Sequence, residues 1–206
     1  MENFDETNLL QAAEDFPDWK MLAFMAYCCE RMLPNYRSFQ VDTGSGDTAP
    51  MRSALDLVWK WIEDAQPVPA MDILASACEG QSPDTAEFSS IYTSAALDAV
   101  AATVATLDAL GRVSAQSMID VASLARDTID LFVQETEGLD PSGVSFELDI
   151  VQNPLMQAEL RTQRESLELL RNLGDERGKA GVDLQARWSR LQEGSLPTTG
   201  STGFAS

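Results

Sequence analysis

Apolar residues recur along most of this chain at three- and four-residue intervals, and the strict alternation of a half-buried strand is missing. The pattern predicts an all-α fold: a compact multi-helix single domain with a central apolar helix and a C-terminal helical hairpin. Trp19, Leu22, Ala23, Ala26 and Cys29 fall on one helical face, and Phe24, Met25 and Cys28 make the other faces apolar too. A helix that is apolar all round belongs at the centre of the molecule. Pro34 disfavours helix at Leu33 and suits a first turn. "ERML" therefore reads as the last turn of one helix and "PNYRSFQ" as the first turn of another.

Asp47 is placed to cap the next helix after "TGSG", and Met51, Ala54, Leu55, Val58 and Ile62 form its buried stripe. A short helix is expected near Met71 to Cys78, after which Ser82 and Pro83 fit N-cap and first-turn positions. Two longer helices follow. One runs from about Ser89 to Leu110 with Leu97, Val100, Ala101, Val104 and Leu107 in line, and Gly111 stops it. The other runs from Ser114 to Glu137 with Met118, Ala122, Ala125, Ile129 and Phe132 inward. "EGLDPSGVS" reads as a loop. Asn153 and Pro154 open a charged amphipathic helix on Leu160, Leu167 and Leu170, and "LGDERGKAG" turns the chain into a last helix around Val182 to Leu191. Residues 1–193 read as one domain and 194–206 as a Gly/Ser/Thr-rich tail.

Charge changes the picture of what such a bundle meets. The 206 residues carry 14 basic and 33 acidic side chains, a formal net charge of −19. Such a surface repels phosphate backbones and anionic lipid, so neither nucleic acid nor membrane is an expected partner. The segment from Arg161 onward is close to neutral, with seven basic and six acidic residues, which fits a helical hairpin packed on an acidic body. Three cysteines, two of them adjacent, point to a reducing compartment. The acidic start "MENFDETN" does not read as a signal peptide. A cytoplasmic location is therefore expected.

The chain contains no histidine. Ser-His-Asp and Cys-His nucleophile pairs, imidazole metal ligands and phosphohistidine relay are excluded with it. "TGSGD" lacks the Lys-Ser/Thr of a phosphate loop and follows no strand, so it reads as a turn with an N-cap. "LPTTG", from Leu196 to Gly200, matches a sortase sorting pattern, but the apolar segment and basic residues that should follow it are absent. The carboxylate pairs Glu63 with Asp64, Asp84 with Glu87 and Glu135 with Glu137 sit near helix ends, where solvated acids are expected. No cofactor and no metal are expected.

Two features stand out against this background. Asp98 lies inside a helix among Ala101, Ala102 and Ala105, where a partner helix can approach closely, so its carboxylate needs a partner. Arg31 suits a helix C-terminus and Glu30 does not, and adjacent helical side chains point apart. Glu30 or Arg31 is therefore expected to be tied to a distant helix, with Asp98 the preferred partner of Arg31. Tyr36 and Phe39 are expected to pack as core aromatics.

"FMAYCCERMLPNYRSFQVDTGSGD", then "LDLVWKWIE", and later "YTSAALDAVAA", resemble the YjaG-like bacterial family, domain of unknown function 416. The family pattern falls here on Glu30, Arg31, Pro34, Asn35, Tyr36, Thr43, Gly44, Gly46, Asp47 and Trp59, and on Ala96, Asp98 and Ala99. The resemblance implies a compact all-α domain and no established activity. At family level it implies an association with signalling histidine kinases, which this chain could bind or regulate without relaying phosphate through imidazole. Two readings follow. One is a non-catalytic binding or regulatory module, with a homodimer as one option. The other is an enzyme with a pocket built from Glu30, Arg31, Asn35, Tyr36 and Asp98, the arginine clamping an anion and a carboxylate acting as base.

Overall fold

The computed structural model describes residues 4–68 and 71–198, and every regular element among them is a helix. The helices are α1 (Glu6–Asp15), α2 (Asp18–Thr43), α3 (Ala49–Asp64), α4 (Met71–Glu79) and α5 (Thr93–Asp108), then α6 (Ala115–Glu137), α7 (Phe146–Gln152), α8 (Pro154–Asn172) and α9 (Lys179–Trp188). Helix α2 is the central member, packed against α3, α5, α6, α8 and α9. It buries residues on every side, as its all-round apolar pattern requires.

The expected break at Pro34 does not occur, and α2 runs unbroken from Asp18 to Thr43. An interior proline costs a helix roughly 3 kcal/mol, because it removes one N–H and crowds the preceding turn. Here burial outweighs that cost: Met25, Met32, Leu33, Tyr36 and Phe39 are all enclosed. The disturbed turn also finds a donor outside the helix, since the Ser195 N–H donates to the Arg31 carbonyl at 3.1 Å. Gly44, at φ 70°, ends α2 with its N–H on the Gln40 carbonyl.

Thr48 and not Asp47 is the N-cap of α3, but Asp47 one residue earlier still serves the first turn, its Oδ1 accepting from the Ala49 N–H at 2.9 Å. The expected α3 stripe is buried, and Trp59 joins it. The segment at Ser82 and Pro83 forms no helix. Gln81 just before it is engaged instead, its carbonyl accepting from Tyr36 Oη and its side-chain oxygen from the Asp47 N–H.

Helix α5 is rotated relative to expectation. Ala95, Ala96, Ala99, Val100, Ala102, Thr103, Thr106 and Leu107 are buried, while Leu97 and Ala101 face outward. The physical reason is close approach: small residues let α5 lie tight against α2, where Cys29 Sγ and Thr106 Oγ1 are 3.2 Å apart. Helix α6 has its expected stripe and starts from a Ser114–Ser117 capping box.

Two short helices escape the periodicity. In α1 only Leu9 and Ala12 are buried, and α7 forms directly after the segment read as a loop, in a stretch to which no element is assigned from the sequence. Helix α8 opens at Pro154, with Asn153 Oδ1 accepting from the Leu155 N–H, and Leu160, Leu167 and Leu170 face inward. Helix α9 rests on α3 and α2, with Gly181 close against the Ile62 carbonyl, and a groove separates it from the end of α8. The α8–α9 connection is held from α2: Trp19 Nε1 donates to the Asp175 carbonyl at 2.8 Å, and Lys20 Nζ reaches the Leu173 carbonyl and Asp175 Oδ1.

Tail composition from residue 194 does not coincide with the end of the packed chain. Leu196 is buried, and Tyr92 Oη donates to the Pro197 carbonyl at 2.8 Å. The end of "LPTTG" and everything after it lie outside the described residues. No helix among the described residues is long and apolar enough to cross a membrane.

Ala65, the residue after α3, is left-handed at φ 54° with its N–H on the Trp61 carbonyl. Ala65→Gly should raise unfolding free energy by about 0.5–1 kcal/mol, since relief of the left-handed strain exceeds the entropy glycine adds to the unfolded chain. Urea melts of the two proteins measure it.

Candidate functional site

Four of the five polar residues singled out in the sequence lie along one and a half turns of α2 and the fifth, Asp98, on α5, and they point in different directions. Glu30 is about 1% exposed and faces α3. Its Oε1 accepts from Arg52 Nη2 at 2.7 Å and Trp59 Nε1 at 2.9 Å. Its Oε2 accepts from Arg52 Nη1 at 2.7 Å and the Arg190 backbone N–H at 2.8 Å. Four donors thus saturate one carboxylate, which is what its burial demands. The network extends outward through Asp56, which accepts from Arg52 Nε and Arg190 Nη2, each at 2.9 Å. Arg190 adopts φ 54° in delivering its N–H, a left-handed conformation uncommon for this residue type.

Arg31 faces the other way, toward α8, and its partner is Glu159, not Asp98. Arg31 Nη1 donates to Glu159 Oε1 at 3.1 Å, and Nη2 pairs with Oε2. Gln163 Nε2 adds a bond to Glu159 Oε1 at 2.8 Å and another to the Ala122 carbonyl at 3.0 Å, which ties α6 in. Burial pulls the Arg31 pKa down, but the Glu159 carboxylate outweighs it and the guanidinium is held above its ordinary range.

Asp98 sits on the α6 side of α5. Its Oδ2 accepts from Thr128 Oγ1 at 2.9 Å, and no cation pairs with it among the described residues. Burial raises its pKa from 3.8 to about 6; the Thr128 hydroxyl opposes the rise and the neighbouring Asp127 adds to it. The expected Arg31–Asp98 pair fails because the two side chains leave their helices toward different neighbours, α8 and α6.

Asn35 and Tyr36 hold the connections. Asn35 Nδ2 donates to Ser195 Oγ at 2.9 Å, and its Oδ1 accepts from the Leu196 N–H at 3.2 Å. The space a Cβ would need at Gly194 is taken by that same Oδ1. Tyr36 Oη fills the corresponding space at Gly46, where φ is 84°, so glycine is required there on two grounds. Tyr36 also meets Phe39 edge-on, with ring centroids 5.8 Å apart, as expected of core aromatics.

The five residues therefore do not converge on one open space. Four are consumed in joining α2 to α3, to α8, to the segment 194–197 and to the loop at Gln81. The partners that sequence reasoning missed are Arg52, Glu159, Gln163, Tyr92, Arg190 and Ser195. Glu159 and Gln163 carry a readable signal, since they sit four apart beside Met156, Leu160 and Leu167 on the buried side of α8. Nothing local marks Ser195.

All three cysteines are buried and free. Burial pushes the Cys29 thiol up to about 12 and Cys78 up to about 11, and it raises Cys28 with help from Glu159, so the thiolate is suppressed at neutral pH. No cluster of three or more acid, cysteine or histidine side chains fit to hold a metal occurs among the described residues.

The family pattern described as "Protein of unknown function (DUF416)" matches residues 8–189. An uncharacterized protein of Haemophilus influenzae is 28% identical over 160 residues, 77% of this chain and 80% of its own length. The uncharacterized protein YjaG of Escherichia coli K12 is 27% identical over 158 residues, 76% of this chain and 79% of its own. The crystal structure of a DUF416 family protein from Shewanella baltica superposes with a TM-score of 0.78 at 22% identity. It covers 86% of this chain and 91% of that one, a likeness of fold.

Three sets of substitutions test these assignments. Glu30→Gln removes the buried counterion of the half-buried Arg52 guanidinium and leaves it only Asp56, and should cost about 3 kcal/mol in denaturant melts. Replacing Arg31 and Glu159 together by Met and Leu should cost far less than Glu159→Leu alone, because the pair's desolvation penalty disappears with its attraction. Asp98 binds its proton more readily folded than unfolded. Its contribution to stability is therefore full below about pH 4 and is lost as pH climbs through about 6. Asp98→Asn keeps an acceptor for Thr128 and should be more stable than the parent above pH 7, by on the order of 2 kcal/mol, with the gap closing toward pH 4. Paired melts at a series of pH values check the sign.

Proposed function

The chain belongs to the DUF416 family, whose function is unknown, and we propose that it is a non-catalytic cytoplasmic binding module acting through the outer face of α5 and α6. The observation that carries this reading is an apolar ridge on two adjacent helices. Leu97 on α5 is 37% exposed and Leu131 on α6 is 45% exposed. The Asp98–Thr128 hydrogen bond sets the register of these antiparallel neighbours, so the two leucines lie within about one helical turn of each other. Ala101 and Leu124 continue the strip, and Asp98, Asp120 and Asp127 border it.

Exposed apolar residues grouped between charges are the composition of a docking face. The aspartates favour a partner helix with lysine or arginine along its edges and oppose a second copy of this chain, which would set aspartate against aspartate. A signalling histidine kinase is the partner class that the family resemblance suggests. With no histidine of its own, the chain would bind or regulate such a kinase without carrying its phosphate on imidazole.

The test compares capture from native cell lysate by the parent protein and by Leu97→Glu with Leu131→Glu, two exposed positions where charge leaves the core intact. A partner enriched by the parent and lost with the variant supports the reading; identical sets of captured proteins overturn it. Light scattering at high concentration should give a monomer.

A further inference from the structure

Between the end of α8 and α9 runs a groove of about 370 Å³, floored by Leu169, Leu173, Ala180 and Leu184, with Lys179 and Asp183 also on its lining. It continues into a cleft of about 80 Å³, and the two share Leu169 and Arg187. The cleft is backed by Tyr27 stacked on Trp188, with ring centroids 4.4 Å apart. Its rim carries Glu165 from α8 and Arg187 from α9. Neither of these opposite charges makes an ion pair or hydrogen bond with any described residue, although both line the same small space. The Tyr27 hydroxyl on the same cleft also lacks a hydrogen-bond partner among the described residues. The contrast is with α2, where Glu30 and Arg31 are fully paired.

We infer that this groove binds a free apolar amino acid as its zwitterion, independently of the α5–α6 face. The carboxylate lies toward Arg187 with the Tyr27 hydroxyl donating to it, the ammonium toward Glu165, and the side chain along the leucine-lined trough. Charge complementarity selects this class. A simple anion in the cleft meets Glu165, a simple cation meets Arg187, and a neutral apolar molecule satisfies neither. A ligand carrying both charges beside an apolar tail meets Arg187, Glu165 and the Tyr27 hydroxyl in the cleft and the leucines of the groove, whose own Lys179 and Asp183 are again one of each sign. The trough has room for a large side chain such as that of leucine or phenylalanine.

Calorimetric titration of the whole chain with L-phenylalanine and L-leucine tests the inference, alongside 3-phenylpropanoate, which lacks the ammonium, and phenethylamine, which lacks the carboxylate. Saturable binding of at least one amino acid is expected. For phenylalanine, each truncated analogue should bind at least about tenfold more weakly, the loss a charged hydrogen bond typically brings. Arg187→Gln should weaken amino-acid binding by a similar factor and leave phenethylamine unchanged, while Glu165→Gln should leave 3-phenylpropanoate no weaker. Both residues are exposed, so the variants should melt with the parent. Absence of saturable binding by both amino acids, analogue affinities equal to that of phenylalanine, or an Arg187→Gln protein with unchanged affinity would each overturn it.

Discussion

A carboxylate enclosed at the centre of a helical bundle is tolerable only when each of its lone pairs has a donor, and the arrangement of this molecule follows from meeting that demand at Glu30. Arg52 supplies two donors from α3, Trp59 a third from the same helix, and the Arg190 backbone a fourth from beyond α9. Because the next residue must project elsewhere, Arg31 extends the same logic to α8 through Glu159. One helix thus fixes its neighbours on two sides with two consecutive residues of opposite charge. Apolar packing of the kind around Leu22, Met25 and Leu33 supplies most of the stabilisation but is indifferent to small slips. The bidentate pairs set the register that the apolar contacts leave loose.

What could be read from the sequence divides along the same line. The apolar stripes of α3, α6 and α8, the role of Asp47 at the first turn of α3 and the starts at Ser114 and Asn153 are legible, because helix periodicity and helix-start signals are local. Pro34 misled because its penalty is local while its compensation, burial and the Ser195 N–H, comes from distant parts of the chain. Leu97 misled because alanine and threonine, weak as apolar signals, won the buried face of α5 by allowing close approach. Glu30 and Arg31 were recognisable as misfits that needed partners. Choosing Glu159 over Asp98 as the partner of Arg31 requires the rotation of α5 and α8 about their axes, which spacing alone does not supply. Asn35, Tyr36, Gly46 and Gly194 make sense only once Tyr36 Oη and Asn35 Oδ1 are seen filling the places of missing side chains.

The acidity of the chain takes on a different meaning with the interior in view. Arg31 and Arg52 are spent inside, on Glu159 and Glu30, and Lys20 is buried against the exposed Asp175. Each pair sets one cation against one acid, so the surplus of acid is left to the surface. The aspartates beside Leu97 and Leu131 belong to that surplus, since Asp98 and Asp120 meet no guanidinium among the described residues. Around Glu165 and Arg187 the balance is local and mixed, and that region suits a different kind of ligand from the acidic α5–α6 face.

The links from α2 to the last quarter of the chain close a very large ring. Glu30 to Arg190 spans 160 residues, Asn35 to Leu196 spans 161 and Lys20 to Asp175 spans 155. The exposed connection between α6 and α7 lies on the arc between those anchors. A single cut there would yield two polypeptides, with Lys20 and Arg31 on one and their partners Asp175 and Glu159 on the other, while Glu30 would keep Arg52. The molecule is thus built as two complementary halves, joined by the chain at one end and by electrostatics at the other.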